Sequence, residues 1–261
     1  MGEYRDLDEK AALDLLYPRD GKSPTDEENL QPWRISEYNL NLDLFKRPLL
    51  RIWDDVSGSR PTDNGMMARA PDMRLDNFES RQNSLGIHVD HSIWKDTPYI
   101  SFTSSPDRIQ SLAQYRMGRN RGVQKLTVID PNTRIESGLP ILDMTLEMYR
   151  YGVRDPHPGK KYYIGEYICL WQVKKTEIIG EWNWEDLKCK ENWYQDILTA
   201  FDEFTSKKNT EDLECPFSKL SIHDQILDSS SDSSDEEFIY YFESENDSDD
   251  EVVPESLFLD D

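Results

Sequence analysis

From Pro48 onward the spacing of apolar and polar positions predicts alternating strands and helices. Leu49-Leu50-Arg51-Ile52-Trp53 is a short, β-prone, almost wholly apolar run, the pattern of a buried strand. Asp54 to Asp76 is polar and holds Gly58, Pro61 and Gly65, which predicts a long loop, either a cleft lid or a disordered connection. A second strand is predicted over Tyr99-Ile100-Ser101-Phe102-Thr103. Ser105-Pro106-Asp107 then supplies an N-cap, a proline at the first helical position and an acid in the first turn. The helix that follows has Ile109, Leu112, Ala113 and Met117 at helical spacing and ends at Gly118. Lys125 to Asp130 reads as a strand stopped by Pro131-Asn132, and Leu142 to Tyr151 as a helix with Leu142, Leu146 and Tyr149 on one face. Two further strands, Tyr162 to Val173 and Thr176 to Trp182, precede a helix from Asn192 to Phe204. The order β, β, α, β, α, β, β, α is that of an α+β domain.

Outside this stretch the apolar signal weakens. Residues 1–47 form an N-terminal arm, partly ordered, with one short helix near Glu9 to Tyr17 that carries Ala12, Leu13 and Leu16 on one side. The domain proper spans 48–205, and 206–261 is a linker followed by an acidic tail. Residues 228–251 are Ser, Asp and Glu around a single apolar island, Phe238-Ile239-Tyr240-Tyr241-Phe242. So little apolar surface does not offset backbone entropy, and the tail is expected to be disordered.

Charge sharpens this division. The chain carries −22 overall, and residues 225–261 contain 14 Asp and Glu and no Lys or Arg, which leaves −8 on residues 1–224. Neither part has the dense cationic field that drives phosphate-based affinity, so stable nucleic-acid binding is not expected. Cys169, Cys189 and Cys215 are odd in number and lack zinc-ribbon spacing, which fits reduced thiols in a cytoplasmic or nuclear protein. The charged start Met1-Gly2-Glu3-Tyr4-Arg5-Asp6 lacks the apolar core of a signal peptide, and no run is long enough to span a membrane. In the tail, Ser229, Ser233, Ser234, Ser244 and Ser248 each have an acid three residues on, the context favoured by acid-directed kinases. Asp249-Asp250-Glu251-Val252-Val253-Pro254 resembles a segment that adds a strand to a ubiquitin-like modifier.

The chemistry lies in three strands. Arg51, the hydroxyls Ser101, Thr103 and Ser104, and Glu166 in Gly165-Glu166-Tyr167-Ile168-Cys169-Leu170-Trp171 are polar groups set into apolar runs. Such placement is costly unless a ligand or a hydrogen-bond network uses the groups. Arginine, Ser-x-Thr-Ser and glutamate in this order resemble the ADP-ribosyltransferase superfamily, of the type seen in bacterial enterotoxin A-type domains. Pro48 to Glu185 resembles more closely a group of uncharacterised fungal domains, through Leu85-Gly86-Ile87-His88-Val89-Asp90 and Gly122-Val123-Gln124-Lys125-Leu126 as well.

The resemblance implies an ADP-ribosyltransferase-like split mixed sheet with flanking helices and NAD as substrate. In that setting Arg51 offers its planar fork to a phosphate or ribose oxygens. Ser101, Thr103 and Ser104 hold the central strands together and shape the nicotinamide pocket, while Tyr99 and Tyr163 stack on the nicotinamide or the adenine. Glu166 is the catalytic carboxylate, stabilising an oxocarbenium-like ribose as nicotinamide leaves. The plain alternative pairs Arg51 with Asp54 or Asp55, leaves the hydroxyls as ordinary strand residues and turns Glu166 to solvent.

Arginine-modifying members of the superfamily carry a second Glu or Gln two residues before the catalytic glutamate. This chain has Ile164 there, which points to another protein or small-molecule acceptor, or to hydrolysis of NAD. The alternative function is a catalytically inert interaction module acting through its acidic tail. His88-Val89-Asp90-His91 lacks a third metal ligand at a telling distance, so no metal is expected, and the role of His88 and His91 stays open.

Overall fold

The computed structural model describes residues 7–17, 45–90, 92–157 and 162–214. The acidic tail, the linker beyond Glu214, most of the N-terminal arm and His91 lie outside the described residues, as do the expectations attached to them.

The strands and helices among the described residues form two antiparallel sheets with helices against one face. The strands are β1 (Leu49–Trp53), β2 (Pro61–Thr62), β3 (Gly65–Met67), β4 (Tyr99–Thr103), β5 (Lys125–Ile129), β6 (Ile141–Asp143), β7 (Glu166–Leu170), β8 (Gln172–Lys174) and β9 (Ile178–Asn183). Helices are α1 (Glu9–Leu16), α2 (Phe78–Val89), α3 (Pro106–Met117), α4 (Pro131–Glu136), α5 (Met144–Arg150), α6 (Trp184–Lys188) and α7 (Trp193–Glu214). The larger sheet runs β6-β7-β4-β1-β5-β9, and the smaller β2-β3-β8. Every pairing is antiparallel, where the resemblance implied a mixed sheet.

The larger sheet is nearly severed at its centre. β1 pairs with β5 at five positions but with β4 only at Leu50–Thr103. A continuous sheet would set Ser101 opposite Ile52; instead the Arg51 guanidinium enters the gap and its Nη1 donates to the Ser101 carbonyl at 2.9 Å. A carbonyl without its ladder partner is thus satisfied by a side chain.

Alternation along the strands sorts the core. Leu49, Ile100, Phe102, Ile129 and Cys169 face the small sheet, where Met66 and Val173 meet them. On the opposite face Leu50, Ile52, Leu126 and Val128 pack under α3, α6 and α7 through Ile109, Ala113, Trp184, Leu187, Trp193 and Ile197. Tyr99, Ile168 and Leu170 pack under α1, α2 and α5 through Leu16, Leu85, Val89, Met144 and Met148. Two groups of helices therefore flank the line where the sheet opens.

Several expectations need correction. Asp54 to Asp76 is not a structureless loop, because Pro61–Thr62 and Gly65–Met67 form a hairpin that pairs with β8. α2 was not predicted: its apolar residues crowd its C-terminal half, and its start rests on the Asn77 side chain accepting from the Ser80 N–H at 2.8 Å. Pro131 does not merely stop β5 but opens α4, capped by Asp130. Leu142 belongs to β6 and the helix starts at Met144, with Met144, Glu147 and Met148 buried while Leu146 and Tyr149 are exposed. The run Tyr162 to Val173 breaks at Trp171, whose φ of +58° is rare for a bulky residue. There the chain leaves the larger sheet for the smaller. The turn is held by the Trp171 N–H on the Pro98 carbonyl (2.6 Å), the Ala68 N–H on the Trp171 carbonyl (2.7 Å) and the indole N–H on the Met73 carbonyl (2.7 Å).

Candidate functional site

Glu166 opens β7 immediately after a tight turn. Gly165 has φ +71°, and its carbonyl accepts from the Ser104 N–H at 2.9 Å, the Thr103 hydroxyl at 3.2 Å and the Ser104 hydroxyl at 3.3 Å. Thr103 and Ser104 thus clamp the end of β4 to the turn that delivers the glutamate. A side chain at position 165 would also meet the Ser104 hydroxyl at 3.1 Å, which suits glycine there.

Register places the candidates on faces. Thr103 pairs with Glu166, and Ser101 with Ile168, so Ser101, Thr103 and Glu166 share the helix-covered face. Arg51 alternates to the other face with Leu49 and reaches the same region only through the gap between β1 and β4. Its Nη2 donates to the Ser59 carbonyl at 3.1 Å, and its Nε is buried without a hydrogen-bond partner. Burial, and next the Arg116 charge, push the Arg51 guanidinium down to about 10; Cys169, Glu166 and Asp54 oppose them.

Glu166 retains 12% of its side-chain exposure. Its Oε1 lies 3.5 Å from Arg108 Nε, an ion pair in which both atoms are buried and these two make no hydrogen bond. The Arg108 guanidinium also stacks 4.5 Å from the centre of the Tyr162 ring. Burial raises the Glu166 carboxyl to about 7, although Arg108, Thr103 and Arg51 all pull it down. A carboxyl raised by burial beside a charged partner marks a candidate functional position.

Ser101 is bridged rather than free. His88 Nε2 lies 2.8 Å from the Ser101 hydroxyl, and Nδ1 lies 2.9 Å from the Thr97 hydroxyl, so α2 and β4 are tied through one imidazole. Tyr99 is placed in the core and not on a cleft wall: it is 4% exposed, its hydroxyl is 2.8 Å from the Ser84 hydroxyl, and its ring packs on His88. The Tyr163 hydroxyl donates to the Val89 carbonyl at 2.8 Å. Neither tyrosine presents a ring for stacking.

Asp54, named above as an alternative partner for Arg51, is instead fully buried with Arg121 at 3.0 Å and Arg116 at 3.5 Å. Sequence reasoning missed Arg108 and the contact between His88 and Ser101. The N-cap signature at Ser105 fixes Arg108 in the first turn of α3, so its position was readable although its partner was not. A groove of about 520 Å³ between α3 and α6, lined by Gln114, Gln124 and Trp184, contains none of these residues.

The raised Glu166 carboxyl has a consequence for stability. Because the folded value of about 7 exceeds the ordinary 4.5, the contribution is fully present below about pH 4.5 and is lost as pH rises through 7. Glu166→Gln mimics the neutral form. It should match the wild type in melting temperature at pH 4 and exceed it at pH 8, by about 3 kcal/mol or roughly 5–10 °C. Thermal unfolding of both proteins at the two pH values checks this, and a gap of equal size at both would refute it.

Fold and site together define an α+β domain with a split antiparallel sheet and, one strand from the split, a largely buried glutamate flanked by an arginine and strand hydroxyls. Residues 45–187 match the family described as Domain of unknown function (DUF7587), and the chain belongs to that family. No curated protein matches the chain.

Proposed function

We propose that this domain binds NAD over the split of the larger sheet and breaks its nicotinamide–ribose bond, giving ADP-ribose to an acceptor or to water. The observation that carries the reading is Glu166, 12% exposed beside Thr103 on the face of Ser101, with Oε1 facing Arg108 but not hydrogen-bonded and its carboxyl raised to about 7. As the glycosidic bond breaks, its electron pair leaves with the nicotinamide and neutralises the ring. The positive charge passes to the ribose carbon and its ring oxygen, and an ionised Glu166 stabilises it there. The acceptor then adds to that carbon and gives up its proton. Exposed Ile164, two residues before Glu166, supports an acceptor other than arginine.

A second reading has its own support. The Arg51 fork is taken up by two backbone carbonyls and Glu166 faces Arg108, an arrangement that also fits a domain that keeps the fold for interaction alone. Nicotinamide release from NAD by the purified chain, with binding followed by calorimetry, separates the two. Release supports the enzyme, binding without release the inert module, and absence of both overturns the NAD reading.

A further inference from the structure

We infer that Arg108, rather than Arg51, meets the anionic part of the ligand, and that its guanidinium is parked in this structure between Glu166 and Tyr162. The inference rests on the NAD reading and names the group that the phosphates of such a ligand would engage.

Arg51 is poorly placed for that task. Nη1 and Nη2 donate to the Ser101 and Ser59 carbonyls at 2.9 and 3.1 Å, and the guanidinium approaches from the face opposite Ser101 and Glu166. Turning it toward a phosphate would leave two carbonyls without donors, one of them at the split itself. Arg51 therefore acts as the wedge that keeps the sheet open. Arg116 and Arg121 are equally committed, both being held by the buried Asp54.

Arg108 is less committed, because no side-chain hydrogen bond holds its Nε. It stands in the first turn of α3, where its backbone N–H is taken by the Ser105 cap but its side chain remains 24% exposed. Its Nε makes no hydrogen bond, and its two neighbours are a carboxylate at 3.5 Å and an aromatic face. Such contacts are easily exchanged for a bidentate pairing with phosphate oxygens. With Glu166 on the nicotinamide ribose, the phosphate carried by that same ribose lies within the swing of the arginine side chain. The move would also release Glu166 Oε1 to the ligand. One side chain thus couples recognition of phosphate to exposure of the carboxylate.

Calorimetry on the full chain with NAD, ADP-ribose and nicotinamide riboside tests the assignment, using wild type, Arg108→Gln and Arg108→Lys. If Arg108 reads phosphate, Arg108→Gln weakens NAD and ADP-ribose by about 10- to 100-fold, the worth of charged hydrogen bonds. It leaves nicotinamide riboside, which has no phosphate, unchanged or tighter. Arg108→Lys recovers part of the loss, because a point charge lacks the planar fork. Undiminished NAD binding by Arg108→Gln, or equal losses for NAD and the riboside, would overturn the inference and leave the NAD reading standing. Failure of the wild type to bind any of the three ligands would overturn both.

Discussion

On the proposed NAD cleavage, replacing Glu166 by Gln should lower nicotinamide release by about 10²–10³-fold while changing NAD affinity far less. The amide keeps the size of the side chain and much of its hydrogen bonding, but cannot carry the negative charge that matters only as the ribose becomes cationic. Loss of a contact made chiefly in the transition state reduces turnover and leaves ground-state binding nearly intact. The same carboxyl sets a pH dependence. With Glu166 raised to about 7 and needed in its ionised form, wild-type turnover should climb as pH rises through 7, and residual turnover of the Gln variant should lack that step. Steady-state nicotinamide release between pH 5 and 9, with calorimetric binding in parallel, measures both effects. Equal rates for the two proteins would remove Glu166 from the chemistry.

Arg134→Met should destabilise the domain by about 3–5 kcal/mol, enough to consume much of its stability. Arg134 is fully buried at the heart of a network: its Nη1 lies 3.2 and 3.0 Å from the two Glu177 carboxylate oxygens and 2.6 Å from the Gln172 carbonyl. Nε and Nη2 donate to the Pro140 and Leu170 carbonyls at 2.8 and 3.0 Å. Burial lowers the Arg134 guanidinium, but the Glu177 charge, Cys169 and the hydrogen bond to Glu177 together hold the group above its ordinary value. Without the arginine, Glu177 becomes an uncompensated buried charge, and three carbonyls lose their donor. The double variant Arg134→Met/Glu177→Leu removes both charges and should regain part of the loss. Urea unfolding of the wild type and the two variants measures this, and a single variant within 1 kcal/mol of wild type would show that water or rearrangement satisfies Glu177.

Local signals carried a good part of the fold. The runs Leu49–Trp53, Tyr99–Thr103 and Lys125–Ile129 are dense in β-branched, aromatic and leucine residues, and they are strands. Ser105-Pro106-Asp107 and Gly118 mark the ends of α3 because caps and a first-turn proline act on neighbouring backbone groups alone. Where tertiary packing outweighed local pattern, the reading failed. Leu146 and Tyr149 have helical spacing yet stay exposed, because α5 buries Met144, Glu147 and Met148 instead. The hairpin Pro61–Met67 has too few apolar residues to announce itself, and it is a sheet only because β8 pairs with it.

By itself the sequence determined which polar groups stand in apolar strands, and in what order: Arg51, then Ser101 with Thr103 and Ser104, then Glu166. That much follows from the cost of burying a polar group, which marks each position whatever surrounds it. Only the tertiary structure decided what each group does. Pairing of Thr103 with Glu166 put hydroxyls and carboxylate on one face, whereas alternation along β1 sent Arg51 to the other and committed it to carbonyls. The charges that pull Glu166 down against its burial, Arg108 at 58 positions away and Arg51 at more than a hundred, meet it only when two separated strands and a helix converge. The reason is physical: residue type fixes the charge a side chain can carry, but burial and the distance to other charges fix its protonation and its availability, and both are properties of the packed chain.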